Sequence, residues 1–120
     1  MLNLTDVRFS AIQKEVLLLL HLSELRHGLG VAIHSSFLRK QVSANLTKEK
    51  QYEVLIKQPN MSVSLKALVE RGYLWSNVNT DFMYSRQAKA TENVFGLTLI
   101  GRQYAESAHS KVVRMKYFKK

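Results

Sequence analysis

Cysteine is absent from the 120 residues, which excludes disulfides and thiolate metal sites. Proline occurs once, at Pro59. It is tolerated in a first helical turn and unwelcome later, so it marks a boundary. Acidic side chains are few, nine against eighteen Lys and Arg, which leaves a formal charge of +9. No paired-carboxylate pattern forms, and neither a GxSxG elbow nor a phosphate-binding glycine loop occurs, so the chain is expected not to be an enzyme. Long apolar runs are missing too. Val16 and the four leucines up to Leu20 fall far short of the ~20 residues that cross a bilayer. Asp6 and Glu15 precede them and no small-residue cleavage site follows, unlike a signal peptide. The expected location is the cytoplasm.

Hydrophobic residues make up 46% of the chain, enough to argue for a packed core rather than disorder. The length suits one domain over residues 1–120. The excess of positive charge points to a polyanionic partner, nucleic acid first and an anionic membrane surface second.

Phe9, Ile12, Val16 and Leu19 mark the stripe of a first helix, and Leu17, Leu18, Leu20 and Leu22 widen it almost all round. A helix apolar on most faces is covered on most faces, here in part by a second subunit. Asp6 or Ser10 is expected to cap its start, and Gly28 and Gly30 to punctuate its end. Val31 to Ile33 reads as a short strand, and Ser35 or Ser36 as the cap of a second helix. Leu38, Val42 and either Asn45 or Leu46 set that helix's stripe, with Arg39, Lys40 and Gln41 outside. Between Thr47 and Gln58 the pattern is weakest. Tyr52, Val54, Leu55 and Ile56 favour a further helical turn or two over a free loop.

Asn60 or Ser62 is expected to cap a third helix. Met61, Leu65, Leu68 and Gly72 follow at i, i+4, i+7 and i+11 and so share one face. Pro59, Ser62, Val63 and Lys66 point away from it. Tyr73, Leu74, Trp75 and Val78 begin an extended stretch that Phe82, Met83 and Tyr84 continue, with Thr91 to Leu97 as the return strand. The turn between them carries Arg86 and Lys89. Thr98 is placed to cap a last helix running to about Tyr117, with Ile100, Tyr104, Ala108 and Val112 at helical spacing. The final ten residues hold Lys111, Arg114, Lys116, Lys119 and Lys120 and no acid, a tail with three readings: added phosphate contacts on DNA, a seat on a membrane or RNA, or a solvated helix end whose charge suits the dipole. His21, His27, His34 and His109 show no metal-ligand spacing, so neither metal nor cofactor is expected.

Two segments carry a family resemblance. Leu65-Lys-Ala-Leu68-Val-Glu-Arg-Gly72-Tyr-Leu74 is similar to the end of a recognition helix entering a wing, L-x-x-L-x-x-x-G followed by two hydrophobic residues. Leu97-Thr98-Leu-Ile-Gly101-Arg102 is similar to the L-T-x-x-G-[KR] that leaves the wing. In this order, with a basic hairpin between, they resemble the winged helix-turn-helix of bacterial MarR and PadR transcriptional regulators. The fold so implied is α+β, mainly α: a three-helix core, a two-stranded wing and a C-terminal helix.

The resemblance implies a nucleoid-associated homodimer on double-stranded DNA, with two recognition helices set about one DNA turn apart. Residues 60–71 would enter the major groove, and the wing, about 84–92, would lie on the backbone or minor groove. Candidate DNA contacts are Ser36, Arg39 and Lys40 on the second helix, Asn60, Ser62, Val63, Ser64 and Lys66 on the third, and Arg86 and Lys89 on the wing. Phe9, Leu18, Leu20, Tyr104, Val112, Tyr117 and Phe118 are the candidate dimer contacts. The chain departs from the family pattern in a longer connection before the third helix and in the lack of Arg on that helix's outer face. Two other readings use the same fold: a protein–protein adaptor or anti-regulator, and a plasmid or phage replication or partition factor. No membrane association is expected.

Overall fold

The computed structural model describes residues 9–78 and 93–118, the side chains of 78 and 110–118 excepted. The first helix, α1 (Ala11–His27), starts at Ser10. The Ser10 hydroxyl accepts from the Gln13 N–H at 3.1 Å, and the Gln13 side-chain oxygen accepts from the Ser10 N–H at 3.0 Å. This reciprocal box satisfies two donors that a helix start leaves open. Strand β1 (Ile33–His34) runs directly into α2 (Ser35–Lys50). His34, in extended conformation, is the cap residue of α2, and the serines expected to cap it are its first two helical residues. Helix α2 buries Leu38, Val42 and Leu46, so Leu46 rather than Asn45 completes the stripe.

The weakly patterned stretch divides in two. Helix α2 continues to Lys50 and stops at Gln51, whose φ of 62° is left-handed. The remaining connection to α3 is tied to α2 by side chains. The Thr47 hydroxyl accepts from the Val54 N–H at 2.8 Å and donates to the Val54 carbonyl. The Ser43 hydroxyl accepts from the Ile56 N–H at 3.2 Å. These bonds satisfy backbone groups that have no ladder partner, and they seat Ile56 in the core.

Helix α3 (Gln58–Glu70) begins earlier than expected, with Lys57 as cap residue in place of Asn60 or Ser62 and Pro59 in the first turn. The fixed φ of proline is already helical, so Pro59 starts the helix instead of preceding it, and Asn60 and Ser62 lie inside. At the other end Tyr73 N–H donates to the Leu68 carbonyl at 2.9 Å and Gly72 N–H to that of Val69 at 3.0 Å. With Gly72 at φ 84°, this pair of bonds is a Schellman closure, which reverses the chain and needs a residue at ease with positive φ.

Strands β2 (Leu74–Val78) and β3 (Asn93–Leu97) are antiparallel, and β1 pairs with the far side of β3, giving the order β1-β3-β2. The last helix is α4 (Leu99–Phe118). Among the described residues, four helices and a small antiparallel sheet make a mainly helical α+β structure, the winged-helix fold. Its core gathers residues from every helix and from β2 and β3, among them Val16, Leu17, Leu20, Leu38, Leu65, Leu68, Leu74, Leu97 and Ala105.

The start of α4 is fastened to the end of α3. Thr98 N–H donates to the Tyr73 carbonyl at 3.2 Å. The Thr98 hydroxyl donates to the Gly72 carbonyl and accepts from the Gly101 N–H at 3.1 Å, capping α4. Gly101 then lies so near the Tyr73 carbonyl oxygen that a Cβ would overlap it. The face of α4 turned inward is therefore Gly101 and Ala105, both buried, while Ile100 is 49% exposed. This corrects the expected stripe from Ile100: close approach selects small residues there over hydrophobic ones.

One ion pair joins α4 to α1. Arg102 donates to both carboxylate oxygens of Glu24, at 2.7 and 2.8 Å, and Glu24 also accepts from the Gly30 N–H at 3.1 Å. The Arg102 bond holds the Glu24 carboxyl below its ordinary value, against the opposing effect of burial. Glu24 is nearly inaccessible and Arg102 about one-fifth exposed.

Two expectations follow. Glu24→Gln leaves Arg102 without its charge partner and should cost roughly 3 kcal/mol, the low end for breaking a buried pair because Arg102 keeps some solvent. A carboxyl whose folded value is depressed stabilises the protein above its unfolded value, 4.5, and loses that contribution as pH falls through the folded value. The resistance of the wild type to urea should therefore fall from pH 5 towards pH 3, and the variant should lose that part of the dependence. Gly101→Ala, which in an open helix gains up to ~1 kcal/mol, should instead destabilise by about 1–3 kcal/mol through overpacking against Tyr73, seen as a lower urea midpoint.

Candidate nucleic-acid interface

Helix α3 is held by Met61, Leu65 and Leu68, all buried. At 100° per residue, Val63 lies opposite the centre of that stripe, with Pro59, Lys66 and Glu70 close to the same line and Ser62 on its flank. All five are exposed, Val63 at 69%. Asn60 is exposed at the first turn. Ser64 is half-buried, and its carbonyl accepts from the Gln13 side-chain amide at 3.5 Å. It thus belongs to the flank turned towards α1. The structure gathers Ser62, Val63 and Lys66 on one outward face, sets Asn60 at its edge and leaves Ser64 behind it.

The face itself carries one charge of each sign. Glu70, in the last turn, is the helix's only acid, and Lys66 is its only cation. Lys57 stands at the N-cap without a side-chain cap bond, and the first turn holds no acid. Lysine there adds to the positive end of the helix dipole, an arrangement that attracts anions. Arg71 follows at the C-cap.

On α2, Ser36 and Lys40 are exposed and Arg39 is half-buried. Ser36 and Lys40 sit one turn apart on the side opposite Leu38. Arg86 and Lys89, and the wing tip as a whole, lie outside the described residues. The base of the wing is well defined. Trp75 pairs across from Gly96, and a Cβ on Gly96 would run into the indole. The ring thus lies over the glycine, filling the space a side chain would take.

Of the expected dimer contacts, Phe9 and Leu20 are closed within the chain. Phe9 sets its ring edge-on to Tyr73 and Tyr104, centroids 4.9 and 4.6 Å away, and Leu20 is fully buried. Neither retains surface for a second copy. Leu18 and Tyr104 are half-buried, and burial pushes the Tyr104 phenol up. The side chains of Val112, Tyr117 and Phe118 are outside those described. The outward face of α1 continues from Leu18 to Leu22 and Leu25, exposed at 38% and 64%, and of these three only Leu18 was among the expected dimer contacts.

Sequence reasoning missed three polar residues of α1. Gln13, His21 and Glu24 are all buried. Their signal was available: an ionisable or amide side chain on the face also occupied by Val16, Leu17 and Leu20. The His21 ring stands edge-on to His109 at 5.5 Å, and its Nδ1 has no hydrogen-bond partner among the described residues. Among those residues no three His, Cys, Asp or Glu gather as a metal site, and no helix is long and apolar enough to cross a membrane.

No protein-family model matches the chain, and no curated protein matches it. Among solved structures, the chain is similar to that of TA0346 from Thermoplasma acidophilum, a candidate transcriptional regulator. The TM-score is 0.53 and the identity 15%, over 92% of this chain and 90% of that one. At that identity the likeness shows the fold alone.

Proposed function

We propose that the chain is a winged-helix transcriptional regulator that binds double-stranded DNA as a homodimer, with α3 in the major groove and the wing on the backbone. The observation that carries this reading is the outer face of α3. It is exposed, held rigidly from behind, free of acid until its last turn and supplied with Lys66, Ser62 and Asn60. A net charge of +9 supports it, as does a fold shared with a candidate transcriptional regulator. The finer likeness to MarR and PadR proteins rests on the two wing-flanking segments. Both are accounted for physically: Gly72 closes α3, Thr98 caps α4 and Gly101 lets the two approach.

The dimer reading rests on α1. Leu18, Leu22 and Leu25 recur at i, i+4 and i+7, an apolar face beyond what the chain itself covers. We place the two-fold contact there, with the end of α4 beside it. A protein–protein role is the second reading, and exposed Val63 is the feature that favours it.

Two measurements test this. Anisotropy titration of labelled duplex DNA should give affinity that falls steeply with salt. Lys66→Ala and Arg86→Ala should each weaken binding and flatten the log–log slope by about 0.9 for every phosphate no longer neutralised. Salt-independent or absent binding, or two variants that match wild type, would rule out this groove helix and wing. In sedimentation equilibrium the wild type should be dimeric, and Leu25→Glu should weaken the dimer at least roughly tenfold, a 1.4 kcal/mol change. Equal dimerisation of the two proteins would move the interface elsewhere.

A further inference from the structure

Val63 sits at the outermost line of α3, 69% exposed, directly opposite the buried Met61, Leu65 and Leu68. A single exposed valine is ordinary on most surfaces. Here it occupies the N-terminal half of the helix, the part from which base edges are read in this fold. The neighbours narrow what it can meet. Guanine is matched in the major groove by a bidentate Arg or Lys, and α3 contains no Arg and only Lys66, a turn further on. Cytosine offers an amino donor and needs an acceptor, but the only carboxylate of the helix is Glu70, in its last turn. Adenine is matched by Asn or Gln, and those residues, Gln58 and Asn60, lie in the first turn. The one apolar group any base shows in the major groove is the 5-methyl of thymine.

Resting on the DNA-binding reading above, we propose that Val63 is a specificity-determining residue that packs on a thymine 5-methyl group. The occupied site is therefore one in which a thymine lies under the centre of α3. Ser62, on the flank of the same face, donates to the adjoining O4 or accepts from a neighbouring amino group. Lys66 sits beside it with a phosphate or guanine in reach. Any other base under Val63 sets its polar edge, stripped of water, against two methyl groups.

The test removes only the methyl. Duplexes with a randomised core of ~20 base pairs, two turns of helix, are enriched on the wild-type protein. The enriched duplex is then resynthesised with deoxyuridine for thymine, which keeps O4 and the pairing. Wild type should lose about fourfold in affinity for each half-site methyl that Val63 covers, roughly sixteenfold for the dimer when both half-sites are changed. Val63→Ala, whose shorter side chain draws back from the base, should bind the thymine duplex more weakly and show a smaller difference, while Val63→Thr, which keeps one γ-methyl, should retain more of it. Val63 is exposed, so both variants should fold as wild type by circular dichroism. If wild type binds both duplexes equally, or if Val63→Ala loses as much as wild type on deoxyuridine, the assignment of Val63 is overturned while DNA binding stands. If no duplex is enriched, the DNA reading falls and this inference falls with it.

Discussion

The presentation of α3 depends on the close approach of α4 to the Tyr73 carbonyl. That one oxygen accepts from the Thr98 N–H and has Gly101 laid against it. Gly72, whose own carbonyl accepts from the Thr98 hydroxyl, is the residue that closes α3. The end of the outward-facing helix, the root of the wing and the start of α4 therefore share one set of backbone groups. A shift in any of them moves the others, because each bond has little room for relaxation in a packed interior. The motif L-x-x-L-x-x-x-G and the motif L-T-x-x-G are thus two halves of one junction. The first half has a local reason, Gly72 closing the helix, and the second answers to the first: Gly101 makes room for the turn's carbonyl.

Helix α1 secures the opposite side by a different means. Most of its inward surface is Val16, Leu17 and Leu20, which pack without direction. Direction comes from its polar residues. Gln13 completes the helix cap and reaches the α3 backbone at Ser64. Glu24 takes the Arg102 fork and the Gly30 N–H together. It thus fixes α4 and the loop after α1 in register. Glu15, further round the helix, accepts from Asn45 on α2 at 3.0 Å. There burial is the larger effect and pushes the carboxyl up. The two acids show the difference between a carboxylate with a cation and one with an amide: both partners favour the charged form, but only the Arg102 bond outweighs burial.

Where a feature depended on local spacing, the sequence was enough to find it. The α3 stripe was legible because Met61, Leu65 and Leu68 meet the core as their periodicity demands, and Gly72 ended the helix for a local reason. The element order and the mainly α fold followed. Three things were not legible. Helix starts moved by a few residues because Pro59 and His34 compete with better capping side chains, and tertiary position decides between them. The inner face of α4 was misread because hydrophobicity points to Ile100, whereas a close contact demands glycine and alanine. Glu24 and Arg102 lie 78 residues apart, and no local pattern joins them. Of the candidate site, Ser62, Val63 and Lys66 share the expected face, while Ser64 does not, because the helix turns its flank to Gln13.

That face also sets how base reading and affinity can divide. Small groups such as a serine hydroxyl and a valine methyl have short reach and few rotamers, so they act only if the backbone behind them is already in place. A long arginine can seek its guanine from a loosely held helix; Val63 cannot seek anything. A protein that reads with short side chains therefore needs the rigidity that the Tyr73 junction and the Glu24–Arg102 pair supply. Each short contact is worth little, about 1–3 kcal/mol even for a good base match. On the DNA reading, affinity then has to come from phosphate attraction, which the charge of +9 supplies. If the chain dimerises through α1 as proposed, discrimination is gained by repeating the same weak reading at a second half-site, and the apolar face of α1 then serves recognition together with the outer face of α3.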